Sequence, residues 1–96
     1  MKTYKMLDIS TGHLSKKDVD LLEYSDKNSF SCVIYEEGFY INLALFEHDL
    51  PVMKQEKQRF SPEFFKIIER ALAEGCTHIN FDRDGEEYEE FIKFDW

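Results

Sequence analysis

The chain has 96 residues, of which 43% are hydrophobic and 16% aromatic, and its formal net charge at pH 7 is −8. Two half-sized units would each be too small to bury a core, so we expect one domain over residues 1–96. The aromatic content argues against an intrinsically disordered chain. The net charge argues against direct binding of nucleic acid or of anionic membranes, because both require clustered lysines and arginines.

The beginning of the chain and its cysteines indicate a compartment. The first eight residues are MKTYKMLD, which lack the apolar stretch of a signal peptide, and no apolar run approaches the ~20 residues that span a bilayer. We therefore expect a cytoplasmic protein. The two cysteines, Cys32 and Cys76, are far apart in the sequence, and such cysteines in the cytoplasm are usually apolar filling with free thiols.

The first predicted elements are a strand over residues 3–9 and a helix over residues 16–24, separated by a turn. The side chains expected to be buried in this strand are Tyr4, Met6 and Leu7. Ser15 is a typical helix N-cap, and Asp18 three residues later completes a pair that resembles a capping box.

A hairpin is predicted next, with strands over residues 30–35 and 39–45 joined by a turn at 36–38. The side chains expected on its inner face are Phe39, Ile41, Leu43 and Leu45. Residues 46–60 carry many charges and a proline, so we expect a long exposed loop there, of the kind that often carries function.

The second helix has the clearest local signals. Ser61 is its predicted N-cap, Pro62 suits the first helical position, and Gly75 suits the stop. Apolar residues follow at helical spacing on one face: Phe64, Ile67, Ile68, Ala71 and Leu72. A strand over residues 76–82 should then bury Ile79 and Phe81.

The last predicted elements are a hairpin turn and a strand. Asp84-Gly85 is a strong signal for a type I′ turn, and residues 91–96 would return as the final strand. The element order is then β-α-β-β-α-β-β. It predicts an α+β fold with two helices on one face of a mostly antiparallel sheet of four to five strands.

Acidic residues are concentrated in this final hairpin. Seven acids and two bases lie between residues 82 and 95, which gives a local charge of −5. Such a field attracts a basic partner and speeds association, and aromatic side chains among the acids can serve as anchors. The predicted partner-binding residues are Asp82, Asp84, Glu86, Glu87, Tyr88, Glu89, Glu90 and Trp96. Alternatively, the charges only keep a hairpin edge soluble.

Other kinds of site have weaker patterns. Asn80, Asp82, Asp84 and Gly85 match positions one, three, five and six of an EF-hand loop, but position twelve is Phe91 in place of Glu. We therefore expect no metal and no cofactor. No phosphate-binding glycine loop or nucleophile elbow is present, so we expect no catalytic residues and no enzymatic activity.

Two alternatives remain open at this point. One is a small metal-dependent enzyme or metal-binding protein that uses the turn of Asp82 and Asp84. The other is a self-associating structural protein, in which the last strand is an unpaired edge and joins a second copy as a homodimer.

Two parts of the chain also carry a resemblance. The first part is Ile9-Ser10-Thr11-Gly12-His13-Leu14, and the second runs from Gly75-Cys76 through Phe81-Asp82-Arg83-Asp84-Gly85 to Phe94-Asp95-Trp96. These segments resemble a family of small bacterial proteins of unknown function, encoded largely on plasmids, phages and integrative elements. That family starts with Ile-Ser-Thr-Ala-His-Leu and ends with Phe-Asp-Arg-Asp-Gly and Asp-Trp.

The resemblance implies a mobile-element setting, in which small acidic proteins often block restriction or CRISPR systems. Together with the charge, it predicts a non-enzymatic interaction module that occupies a basic, nucleic-acid-binding surface of a host defence protein. An anti-restriction or anti-CRISPR-like inhibitor would be one form of such a module.

Overall fold

The computed structural model describes residues 3–23, 31–44, 46 and 50–95, and for residues 50–54 only the backbone. Trp96 and Leu45, which the sequence places in a binding surface and in a core, lie outside the described residues. The strands are β1 (Met6–Ser10), β2 (Cys32–Tyr35), β3 (Gly38–Asn42) and β4 (His78–Asp82). The helices are α1 (Lys16–Glu23), α2 (Leu50–Arg59) and α3 (Pro62–Ala73), with a 3-10 turn at Thr11–His13. The predicted α+β class is confirmed.

The four strands form one mixed sheet in the order β1-β4-β3-β2. β1 runs parallel to β4, whereas β3 is antiparallel to both β4 and β2. One face of the sheet joins the helices in a single hydrophobic cluster, which includes Ile9, Phe39, Ile41, Ile79, Phe81, Phe64 and Ile68. The predicted inward orientation of β3 and β4 is therefore confirmed. None of the helices in the described residues has the length and apolar character needed to cross a membrane.

The burial predicted for the first strand is wrong for Tyr4 and Met6 and right for Leu7, which packs against the core. Tyr4 and Met6 are 63% and 47% exposed, whereas Ile9 is fully buried. The register explains the difference, because Leu7 pairs with Ile79 and Ile9 pairs with Phe81. Paired residues on neighbouring strands share a face, so the odd-numbered residues of β1 are the ones that face the helices.

The N-termini of α1 and α3 are joined by one buried carboxylate. Ser15 Oγ accepts the Asp18 N–H at 3.2 Å, as a cap should, and Ser61 Oγ accepts the Phe64 N–H at 3.2 Å. Asp18 is only 1% exposed, and its carboxylate accepts the Ser61 N–H at 2.9 Å and the Ser61 hydroxyl. The predicted N-caps Ser15 and Ser61 are confirmed. The Asp18 carboxylate additionally binds Ser61, the N-cap of α3.

The end of α3 is also as predicted, because Gly75 has a φ of +78°, a backbone conformation that residues other than glycine rarely adopt. In contrast, the long loop predicted over residues 46–60 is wrong where the structure describes it. Leu50–Arg59 is a helix, and Pro51 is its second residue, within the first turn, where a missing N–H costs nothing. Residues 47–49 lie outside the described residues.

The predicted final strand is also absent. The described part of it, residues 91–95, contains no strand, and Ile92 is 55% exposed whereas Phe91 is 7% exposed. The described residues thus form three α-helices and four strands, where the sequence predicted two helices and up to five strands. After β4, the chain returns to β1 as an irregular segment.

Candidate functional site

The residues after β4, which we call the acidic segment (residues 83–95), lie along the outer edge of β1. The Ser10 N–H donates to the Glu86 carbonyl at 2.8 Å, and the Tyr88 hydroxyl donates to the Asp8 carbonyl at 2.9 Å. Gly85 approaches so closely that a Cβ there would lie 2.6 Å from the Ile9 carbonyl oxygen. The acidic segment therefore takes the place of a neighbouring strand without being one.

The prediction of a type I′ turn at Asp84-Gly85 is also wrong. Gly75 is the one described residue with a positive φ, whereas a type I′ turn needs two. The chain turns one residue earlier, where the Gly85 N–H donates to the Asp82 carbonyl at 2.9 Å. Gly85 is needed at this place because of its close approach to β1, and not because of the turn conformation.

His13 holds the far part of the acidic segment. Its imidazole is 2% exposed, with Nδ1 2.9 Å from the Ile92 carbonyl and Nε2 accepting the Tyr88 N–H at 3.0 Å. An amide can only donate, so Nε2 carries no hydrogen, Nδ1 carries it, and the ring is neutral. The Phe94 N–H donates to the Gly12 carbonyl at 2.8 Å beside it. The Thr11–His13 turn is thus a docking point for residues 88–94.

Two of the predicted binding carboxylates are engaged in ion pairs. Glu87 lies 2.9 Å from Lys93 Nζ, and Glu90 lies 3.3 Å from Arg70 Nε of α3. Both carboxylates are about half exposed, so these ion pairs stabilise the fold only weakly. Lys93 is already counted in the local charge of −5, so Arg70 of α3 is the cation from outside the acidic segment that neutralises part of that charge.

Asp82 is held by hydrogen bonds on both carboxylate oxygens. Oδ1 accepts the Asp84 N–H at 2.8 Å, and Oδ2 lies 2.8 Å from the Tyr35 hydroxyl, which also lies 2.7 Å from Asn80 Oδ1. The Asp84 N–H first and the Tyr35 hydroxyl second lower the pKa of Asp82. Burial first, and then the hydrogen bond to Asp82, raises the pKa of Tyr35 to about 12.

These bonds bear on the metal-binding alternative. The described residues contain no group of three or more His, Cys, Asp or Glu side chains placed to hold a metal ion. Asp82 uses its oxygens to fix the turn and, through Tyr35, to connect the end of β2 with the end of β4 across β3. No observation in the described residues favours the enzyme alternative.

A second acidic turn lies beside Asp82. Glu36 and Glu37 connect β2 to β3, and the Glu37 carbonyl accepts the Arg83 N–H at 2.9 Å. Gly38 makes this approach possible, because a Cβ there would lie 1.7 Å from the Phe81 carbonyl oxygen. One end of the sheet therefore collects five acidic residues, Glu36, Glu37, Asp82, Asp84 and Glu86, together with one base, Arg83. We call this surface the acidic end.

Sequence reasoning did not associate Glu36 and Glu37 with the acidic hairpin. The signal was present, since both were placed in the turn of the β2–β3 hairpin. What was lacking was the strand order, because β3 pairs with β4 and so brings the two turns together.

Of the two other predicted binding residues that the structure describes, Glu89 is exposed and Tyr88 is part of the fold. Tyr88 is half-buried, its hydroxyl is bonded to β1, and burial first and then Glu86 raise its pKa, so it anchors the acidic segment. Cys76 is 5% exposed, and the ring of His78 stacks on Tyr40 with 5.2 Å between centroids. Both cysteines are free, as predicted, and burial raises the pKa of the Cys32 thiol to about 11.

The fold and the site define a class before they define a family. The domain is a small α+β unit in which helices pack on one face of a mixed four-stranded sheet and carboxylates gather at one end of that sheet. The chain belongs to a family of unknown function, DUF5983, and residues 6–96 match the model of that family's C-terminal domain. The comparisons with curated proteins and with solved structures found no match.

Proposed function

We propose that this protein is a non-enzymatic interaction module whose acidic end binds a basic surface of a partner protein. The observation that carries the proposal is the convergence of two turns that are more than 40 residues apart in the sequence on one end of the sheet. Five carboxylates meet there, and no lysine or arginine of the described residues forms an ion pair with any of them.

The acidic end differs from an ordinary charged surface in being held in place. The main chain of both turns is fixed by the bond between Glu37 and Arg83, and the Asp82 carboxylate is fixed by Tyr35 and Asp84. The Asp82 carboxylate is already positioned and loses little side-chain freedom when a partner binds, and the summed field of the five acidic residues raises the association rate.

The chemistry of the partner follows from this field. Surfaces that bind nucleic acid are rich in Lys and Arg, because they neutralise phosphates. An acidic protein surface can occupy such a site in competition with the nucleic acid. The mobile-element setting suggested by the sequence resemblance supports a host defence protein as the partner, with an anti-restriction or anti-CRISPR-like inhibitor as one form.

A charge-reversal experiment tests the proposal. The partner is isolated from host cytosol treated with nuclease, and its affinity is then measured at about 50 and about 300 mM NaCl. We expect the affinity to fall at least about tenfold with salt, and to fall comparably in a Glu36→Lys, Asp84→Lys variant, which changes one exposed carboxylate in each turn.

The matched control is a Glu69→Lys, Glu74→Lys variant. It makes the same change in net charge with two exposed carboxylates, one on α3 and one just after it, where Glu74 lies beside Lys5 at the end of the sheet opposite Asp82. An affinity that does not change with salt, or that falls equally in both variants, would show that the acidic end is not the binding surface.

A further inference from the structure

We infer that the outer edge of β2 and the groove beside it bind an extended basic peptide segment, which joins the sheet as a fifth strand next to the acidic end. The inference rests on the proposed function and specifies the form in which the partner presents its basic residues.

The hydrogen-bond pattern of the hairpin shows which groups of β2 are available. The Asn42 N–H donates to the Ser31 carbonyl at 3.0 Å, so residues 31 and 42 form a hydrogen-bonded pair. Antiparallel pairs alternate, and Cys32 and Ile34 therefore stand in non-hydrogen-bonded pairs with Ile41 and Phe39. Their N–H and C=O groups point away from β3, and no described strand pairs with them.

The side chains at this edge are exposed as well. Val33 is 56% exposed on one face of β2, and Ile34 is 44% exposed on the other. β1 is the other outer strand of the same sheet, and there the acidic segment binds the Asp8 carbonyl and the Ser10 N–H. An open edge with apolar side chains is the usual place for adding an extended segment through main-chain hydrogen bonds.

A groove next to the open edge determines the side chains that fit. It has a volume of about 280 Å³, and its apolar lining includes Val19, Ile34 and Phe39. Three acidic residues, Glu23, Glu36 and Glu37, also line it, with Arg83 as the single base among its lining residues. A strand in which apolar residues alternate with Lys or Arg would place its apolar side chains against the apolar lining and its cations near the acidic residues.

A second copy of this chain is a poorer occupant of the same edge. Each copy carries a formal charge of −8, and each edge ends at the carboxylates of Glu36 and Glu37. Two copies repel each other, whereas a basic segment neutralises the acidic residues of the groove as it pairs with β2. The charge therefore favours a basic segment of another protein over self-association.

A pair of peptides separates strand addition from simple charge attraction. The probe is a fluorescein-labelled peptide of alternating lysine and valine. Its comparator has the same sequence, with N-methyl groups on alternate amides that would face β2. Both peptides carry the same charge, but the methylated one cannot donate to a strand edge. By fluorescence anisotropy, we expect the methylated peptide to bind at least about tenfold more weakly.

A protein variant tests the same edge from the other side. Ile34→Pro removes an N–H that points outward, which is a position where an edge strand tolerates proline. We expect it to weaken binding of the unmethylated peptide at least about tenfold, whereas Ile34→Thr, which keeps the N–H, should weaken it by less than about threefold. Thermal unfolding checks that both variants fold. If Ile34→Pro does not fold, the two peptides alone decide.

The outcomes also separate this inference from the proposed function. Equal binding of the two peptides, with strong salt dependence, would overturn strand addition and leave the acidic end as a purely electrostatic surface. Binding of neither peptide would overturn the inference, and the partner experiment would then decide the proposed function on its own. A concentration-dependent dimer that the peptide does not dissociate would assign the edge to a second copy and would also overturn the inference.

Discussion

The two outer strands of the sheet differ in how their free hydrogen-bonding groups are treated. Along β1, the acidic segment supplies a carbonyl from Glu86, a hydroxyl from Tyr88 and a close glycine contact. Along β2, the outward groups of Cys32 and Ile34 meet no described strand. Among the described residues, one edge of the sheet is covered and the other is not, and an uncovered edge is where association is expected.

The largest effect is expected from Gly85→Ala, which breaks the closed edge. The added Cβ would lie 2.6 Å from the carbonyl carbon and oxygen of Ile9, both backbone atoms that cannot move aside. The acidic segment must then shift away from β1, and we expect a loss of about 3 kcal/mol in the free energy of unfolding, measured with urea.

The control for Gly85→Ala is the neighbouring Asp84→Ala. Asp84 is exposed and the substitution adds no atoms that could clash, so it should change the free energy of unfolding by less than about 0.5 kcal/mol. If Gly85→Ala were as stable as this control, the segment would not be packed against β1.

A smaller loss is expected from His13→Leu, which keeps the apolar volume but removes both ring nitrogens. The Tyr88 N–H and the Ile92 carbonyl each lose a partner in a part-buried place, so we expect a loss of about 2 kcal/mol. Hydrogen exchange measured by NMR should show faster exchange of the Tyr88 amide and unchanged exchange of the Asn42 amide, which lies in the β2–β3 hairpin.

An unchanged exchange rate at Tyr88 in the His13→Leu variant would contradict the role of the imidazole. Equal acceleration at Tyr88 and Asn42 would instead indicate global unfolding, and the segment would then not be a separately held unit.

The smallest effect is expected from Tyr35→Phe, which loosens the tie between β2 and β4 at the open side. Without the hydroxyl, the pKa of Asp82 should rise toward its ordinary value of 3.8, although the Asp84 N–H still lowers it. Carbon NMR titration of the carboxyl group measures this shift. The same titration in Tyr40→Phe is the control, because Tyr40 has no bond to Asp82. An identical Asp82 titration in all three proteins would contradict the bond.

The pH dependence of stability has opposite signs for these two groups. The lowered pKa of Asp82 gives stability that is present above its unfolded pKa and is lost as the pH falls through the folded value. The raised pKa of Tyr35 gives stability that is complete below pH 10.0 and is lost as the pH rises toward about 12. Tyr35→Phe should therefore reduce the decline in stability between pH 10 and 12, measured by urea unfolding.

Local signals in the sequence were sufficient for parts of the fold. The cap, proline and stop glycine of α3 act within a few residues of one another, so Ser61, Pro62 and Gly75 could be assigned without knowledge of the rest. The same holds for the alternation that buries Ile79 and Phe81. Pro51 misled the prediction, since proline also occurs in the first turn of a helix.

The site depended on distant contacts, which one sequence does not reveal. Gly85 was predicted as a turn residue, whereas a glycine is required there because the backbone of Ile9 lies too close for a Cβ. The acidic end depends on strand order, because Glu37 and Arg83 come together only when β3 lies beside β4. The charge of the region could be counted beforehand, but which carboxylates are neutralised depends on where Arg70 of α3 lies.

The bond between His13 and Ile92 joins residues 79 positions apart, and this separation has a consequence for folding during translation. At the usual speed of translation, roughly 4 to 16 s pass between the synthesis of the two partners. Throughout that interval the first strand is made but uncovered, and a nascent chain is then at its most vulnerable to premature association. Chaperone dependence should therefore be greatest before residues 83–95 become available to cover β1.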